Sequence, residues 1–138
     1  EINVLDKMRA EHPLERISQV VGQRQLLDAQ SLVHDVYVDD KIKRYIVDLV
    51  RATRDHPDIY LGASPRGSLA LFHTAQAMAA ASGRDYVIPD DVKALAQPTL
   101  AHRLIISPAA RIKNVEAHAV LQQIINGIQV PGAQPVAR

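Results

Sequence analysis

The chain has no cysteine and no tryptophan, and aromatic residues make up only 4% of it. Without cysteine there is no disulfide framework, no thiolate metal site and no cysteine nucleophile, and the composition is compatible with a reducing cytoplasm. With so few rings, the core has to be aliphatic. No apolar run approaches the roughly 18 residues of a membrane span. The opening "EINVLDKMRA" lacks the basic start and apolar middle of a signal peptide. An excess of one charge is missing too. Sixteen Lys and Arg against fifteen Asp and Glu leave a formal net charge of +1, which gives no argument for a nucleic-acid or membrane-surface partner. We therefore expect no nucleic-acid binding, no membrane insertion and a cytoplasmic location.

Catalytic signatures are also lacking. GxxxxGK[ST], GxSxG and GxGxxG do not occur, so the chain by itself has no loop to cradle a triphosphate and no nucleophile elbow. The six histidines (His12, His34, His56, His73, His102 and His118) form no HExxH and no i, i+4 pair. No metal site is expected. Asp90-Asp91 in "IPDDVKAL" reads as a pair of first-turn acids complementing a helix dipole, and "RATRDH" as a solvated helix face.

What is present is helical periodicity. With 47% hydrophobic and 22% charged residues over 138 positions, the chain can bury a core. Ile2, Leu5 and Met8 predict a helix ended by His12-Pro13. Leu26, Ala29, Leu32, Val33 and Val36 predict a second over roughly 22–34. The clearest stripe is Ile42, Tyr45, Ile46, Leu49 and Val50, capped by Asp39 and ended by His56-Pro57. "SPRGSLALFHTAQAMAAASGR" predicts the longest helix, lined by Leu69, Leu71, Phe72, Ala75 and Met78, with Gly83 as its stop. Its alanines suggest close approach to neighbouring helices. Pro89 opens the next helix, with Ile88 where a capping hydroxyl belongs. Asn114 reads as the cap of a last helix with Ala117, Leu121, Ile124 and Ile128 on its stripe. "RLIIS" reads as a short strand pairing with Val36–Val38. The expected fold is all-α, a bundle of five or six helices with one very short two-stranded element: a helical domain over 1–128 and a mobile tail over 129–138. Glu1 already lies inside a helical pattern, so we expect a piece of a longer protein.

One stretch is chemically odd. In "LGASPRGSLA", Ser64 is a preferred N-cap and Pro65 a preferred first residue, which puts Arg66 at the second helical position. A helix start already carries about half a positive charge, and Arg66 adds a full one. An anion would reverse that penalty, because helix starts and arginine both favour phosphate. Gly62, Ala63, Gly67 and Ser68 would leave the surroundings unobstructed. The alternative is that Arg66 pairs with an acid such as Asp58 or Asp85.

The motifs "ATRDHP", "GASPR", "GRDYV", "PDDVK" and "HRL" occur in this order. Extended back through "YIVDLV" and "HDVYV", the chain resembles the C-terminal lid of MoxR-type AAA+ ATPases over nearly its whole length. Ile88, in place of the usual capping hydroxyl, is the one departure. The resemblance implies an N-terminal AAA+ core carrying the P-loop and the Mg-binding acids, with ATP held between core and lid. It implies that Arg66 is the second sensor, reaching the γ-phosphate with Ser64 beside it, and that adenine lies against apolar lid surface with Tyr45 as candidate contact. It further implies a homo-hexamer with chaperone-like action on other complexes, and partners carrying von Willebrand factor A domains. A stand-alone helical adaptor that binds a protein through its alanine-rich helix is the competing reading.

Overall fold

Ile42, Tyr45, Ile46, Leu49 and Val50 recur at helical spacing, and a helix that buries them on one face forms between an Asp39 cap and His56. In the computed structural model, which describes Ile2 and residues 17–132, this helix is α2 (Asp40–Asp55). The Asp39 carboxylate accepts the Lys41 N–H at 2.8 Å, and all five stripe residues are buried.

The chain divides into two compact units, Glu1–Ser31 and Leu32–Arg138. Most of α1 (Gln23–His34) belongs to the first; it begins after Gly22, whose N–H donates to Gln25 Oε1 at 2.8 Å. The helix expected over residues 2–10 lies outside the described residues apart from Ile2, as do tail residues 133–138. The stripe expected on α1 is not buried: Leu26 is 51% and Leu32 67% exposed, and only Val36, beyond the helix, enters the core.

In the second unit α2 is followed by β1 (Ile59–Leu61), α3 (Pro65–Ala81), α4 (Pro89–Leu100), a 3-10 turn at Ala101–Arg103, β2 (Ile105–Ile106), α5 (Pro108–Ile112) and α6 (Ala117–Gly127). The described residues thus hold six α-helices and one antiparallel two-stranded sheet. The aliphatic core lies among α2, α3, α4 and α6, where Leu49, Leu71, Val92, Leu100, Val120 and Leu121 are all fully buried.

Three details depart from the sequence reading. First, β2 pairs with β1 (Ile59↔Ile106, Leu61↔Ile105) and not with Val36–Val38. The backbone of Tyr37 is already engaged: its N–H donates to the Asp85 carbonyl at 2.8 Å and its carbonyl accepts from Val87 at 3.0 Å. Second, the inward face of α3 keeps Leu71 and Ala75 of the expected stripe but not Leu69 and Met78. Gly67, Leu71, Ala75, Gln76 and Ala79 are buried, while Leu69 is 60% and Met78 36% exposed. The small residues face inward because α3 lies close to its neighbours. A Cβ at Gly67 would stand only 3.1 Å from Leu100 Cδ2 and 3.2 Å from Ala63 Cβ. Third, Asn114 does not cap α6, whose N-cap is Glu116. Asn114 sits in the left-handed region at φ 56, a conformation asparagine tolerates, just beyond the short helix α5.

Gly83 ends α3 as expected. It has φ +71, and the Arg84 N–H closes back on the Ala79 carbonyl at 2.9 Å. The Ile88 start of α4 is repaired from within the chain. Asp91 Oδ2 accepts the Ile88 N–H at 2.9 Å, and Arg84 grips the same carboxylate through two bonds of 2.8 and 2.6 Å. Asp91 is 5% exposed. Burial alone would raise its carboxyl, but the hydrogen bonds from Arg84 and the Ile88 N–H outweigh burial and hold its pKa below the ordinary value. Asp90, the other acid of the pair, is exposed beside Lys93.

Candidate functional site

The start of α3 is built against the end of α2. The stripe of α2 continues through Thr53, fully buried and polar, and a buried hydroxyl must find partners. Thr53 Oγ1 donates to the Val50 carbonyl at 2.6 Å and accepts the Ala63 N–H at 3.0 Å. The next residue, Arg54, donates from Nη1 to the Ala63 carbonyl at 2.8 Å. Both backbone groups of fully buried Ala63 are therefore held by consecutive side chains of α2. Gly62 lies against the same turn: a Cβ there would meet Thr53 O at 2.6 Å and Arg54 Cα at 2.7 Å. The sequence reading took Gly62 and Gly67 as spacers that leave room for a ligand. The structure makes them packing positions where α3 approaches α2 and α4.

From this anchored point the chain runs through Ser64, extended at φ −76 and ψ 171, into Pro65 and Arg66. Ser64 stands at the N-cap position, as expected, but its hydroxyl caps no backbone N–H. The first turn of α3 has no acid. Arg66 is exposed, and among the described residues its side chain makes no hydrogen bond or ion pair. Asp58 and Asp85, the alternative partners, do not reach it. Pro65 has no N–H and the Gly67 N–H donates to the Ser64 carbonyl at 2.7 Å, so the cation sits in solvent at a helix start that no acid balances, an arrangement suited to an anion.

Tyr45, the expected adenine contact, lies elsewhere. It is 2% exposed and its hydroxyl has no partner among the described residues. Burial, and secondarily the charge of Asp90, push that hydroxyl above the usual tyrosine range. The apolar surface within a turn of Arg66 is instead a groove of about 280 Å³ between α2 and α3, lined by Lys43, Ile46, Val47, Ser68, Leu69 and Phe72. The structure therefore brings Ser64 and Arg66 together at one helix start and leaves Tyr45 in the core.

The profile of the AAA lid domain matches residues 51–124, more than half of the chain. The chain belongs to the AAA lid domain family. The match contains both anchors of the α3 start, Thr53–Arg54 and Gly62–Ala63, together with Arg66. Among curated proteins the chain is 41% identical over 138 residues to the uncharacterised protein YeaC of Bacillus subtilis, covering 100% of this chain and 43% of that one. It is 29% identical over 127 residues to the chaperone MoxR1 of Mycobacterium tuberculosis, covering 86% and 34%. A candidate ATPase from Cytophaga hutchinsonii superposes with a TM-score of 0.83 at 25% identity, over 94% of this chain and 42% of that chain. The lid thus spans less than half the length of each of these relatives. The resemblance to MoxR-type lids and the helical fold with its short sheet both hold.

The described lid has no helix long and apolar enough to cross a membrane. Among its described residues no cluster of three or more His, Asp or Glu is placed to hold a metal ion. Sequence reasoning missed Thr53 and Arg54. The available signal was the position of Thr53 on the apolar stripe of α2, where a polar residue implies a buried partner.

Proposed function

We propose that this lid closes over ATP in a MoxR-like AAA+ ATPase and that Arg66 is its second sensor, meeting the γ-phosphate of a nucleotide held with Mg by an N-terminal core. The observation that carries the reading is the exposed, acid-free start of α3, with Arg66 at its second position. These residues fit a phosphate: a guanidinium with all its donors available, one helix end, and the unused Ser64 hydroxyl. Mg ligands are expected from the core. In this reading adenine lies against the groove of Val47, Leu69 and Phe72 rather than on Tyr45, whose ring is inside the core.

ATP bound in the cleft supplies the phosphoryl group. Arg66 neutralises charge that grows on the transferred oxygens, and its loss of contact after hydrolysis frees the lid to rotate. Coupled around a homo-hexamer in the cytoplasm, that rotation would remodel or assemble partner complexes, with von Willebrand factor A domain proteins as the expected partner class. The domain extends over residues 1–128 with 129–138 as its tail. For the adaptor reading, Ala75 and Ala79 are buried and unavailable to a partner, which leaves it only the face of α3 that carries Leu69, Ala77, Met78 and Ala81.

The test is Arg66→Ala in the full-length protein. We expect turnover to fall by about 100-fold, the scale of losing one preorganised charge-stabilising donor, with the circular-dichroism spectrum unchanged. Wild-type turnover in the variant overturns the reading. The isolated lid is expected to hydrolyse no ATP.

A further inference from the structure

Arg66 has no side-chain partner of its own among the described residues, so its direction is set by the backbone that carries it. That backbone is fixed at one residue, Ala63, three positions upstream. The Ala63 N–H is held by Thr53 Oγ1 at 3.0 Å and its carbonyl by Arg54 Nη1 at 2.8 Å. The peptide planes on both sides of Ala63 are therefore tied to the last turn of α2. The contacts around them are already tight. Gly62 lies against the Thr53 carbonyl, and Gly67 lies within van der Waals reach of Leu100 and Val50. The Ser64 side chain adds no cap bond, so among side-chain hydrogen bonds the two on Ala63 are the ones that tie the α3 start to α2.

We propose that Thr53 and Arg54 are positioning residues for Arg66: a two-point clamp on Ala63 that converts the orientation of α2 into the aim of the sensor arginine. The proposal rests on the sensor reading of Arg66. Neither residue touches the nucleotide. Thr53 acts through a buried hydroxyl that donates to Val50 and accepts from Ala63, so both roles are needed at once. Arg54 acts through a single Nη1 hydrogen bond that crosses from α2 to the loop. Any tilt of α2 is thereby transmitted to Arg66 without passing through the rest of the core.

The test compares Thr53→Val, Thr53→Ser, Arg54→Ala and Arg66→Ala in the full-length protein, reading kcat and KM for ATP separately alongside the melting temperature. Thr53→Val keeps the shape and removes the hydrogen bonds. We expect it to lower kcat about tenfold with KM for ATP within about twofold, since an ångström of misplacement at a reacting group costs up to about a hundredfold. Thr53→Ser should restore kcat. Arg54→Ala should lower kcat in the same sense. In the Thr53→Val, Arg66→Ala double variant kcat should equal that of Arg66→Ala alone, because a clamp has nothing to aim once the arginine is gone. If Thr53→Val lowers the melting temperature but leaves kcat intact while Arg66→Ala is inactive, the clamp is structural and the proposal is overturned, with the sensor reading standing. If Arg66→Ala itself keeps wild-type turnover, the sensor reading falls and the clamp proposal falls with it. Multiplying losses in the double variant also overturn it.

Discussion

Three described helices of this lid begin with proline, and the two long ones, α3 and α4, are finished in opposite ways. At the start of α4 the cap position holds Ile88, which has no hydroxyl, yet every charge is answered. Asp91 takes the Ile88 N–H, Arg84 takes Asp91 through two bonds, and Asp90 pairs with Lys93. At the start of α3 the cap position holds Ser64, a good capping residue, and no side chain answers the helix end. The hydroxyl makes no cap bond, no acid is present and Arg66 adds charge of the wrong sign. The first start is complete within its own chain. The second is held rigidly from behind, by α2 and the close approach of Gly62, and left open in front. Local electrostatics are satisfied where the job is folding and left unsatisfied where we place a ligand.

The sharpest way to break the contrast is Gly62→Ala. Its Cβ would enter within 2.7 Å of α2 backbone atoms that cannot yield singly. We expect a loss of about 3 kcal/mol, the upper end of ordinary overpacking, read by chemical denaturation of the isolated lid. A loss under about 1 kcal/mol would mean that the α3 start is not pinned to α2 as described.

Next comes Asp91→Ala, which removes the anchor of the other start. Losing a charge-assisted hydrogen-bonded partner at a site still reached by water should cost about 2 kcal/mol. Its pH signature has a definite sign. The Asp91 carboxyl lies below its ordinary value in the folded chain, so its contribution is fully present above the ordinary carboxylate pKa of about 4. It is lost as pH falls through the lowered folded value. Stability of the wild-type lid should therefore decline on the acid side of about pH 4, and Asp91→Asn should lack that part of the decline. A variant that tracks the wild-type acid profile would remove Asp91 from the account.

Smaller and opposite in sign is Arg66→Ala in the isolated lid. Removing a cation from a helix start should stabilise by about 0.5 kcal/mol, seen as a small rise in melting temperature that shrinks with added salt. Destabilisation would show that Arg66 has a partner within the lid. Smallest is Ser64→Ala. A working N-cap serine is worth about 1 kcal/mol, but the Ser64 hydroxyl has no cap bond to lose, so the change should stay within about 0.3 kcal/mol. Asp39→Ala, which removes a real cap bond, serves as the control and should cost about 1 kcal/mol.

The legibility of the fold followed side-chain size. On α2 large aliphatic residues occupy the inward face, so the stripe from Ile42 to Val50 was readable and all of it is buried. On α3 the inward face combines Leu71 with Gly67, Ala75 and Ala79, and hydrophobicity alone ranks these three small residues below the exposed Leu69 and Met78. Close helix approach selects small residues there, a preference visible only once the neighbour is known. The short helix α5 carried the Ser107-Pro108 signature of a helix start, and Ser107 Oγ does accept the Ala110 N–H at 3.3 Å, yet five residues are too few for a period to show. In the candidate site, the odd charge of Arg66 was legible from its spacing after Ser64 and Pro65, whereas Thr53 and Arg54 were not, because their partner lies ten and nine residues away.

By itself the sequence determined the main helices of the lid, the Asp39 cap, the Gly83 stop and the presence of a cation in the first turn of one helix, because these depend on residues within a turn of each other. Tertiary structure decided the rest: which face of α3 turns inward, which strand β2 joins, why Gly62 and Gly67 are glycine, and whether Arg66 has a partner. Those outcomes depend on where backbones distant in sequence meet. A glycine whose Cβ would stand 2.6 Å from the Thr53 carbonyl and an arginine out of reach of Asp58 and Asp85 both follow from how α2 and α3 pack, and no local pattern of residues encodes that distance.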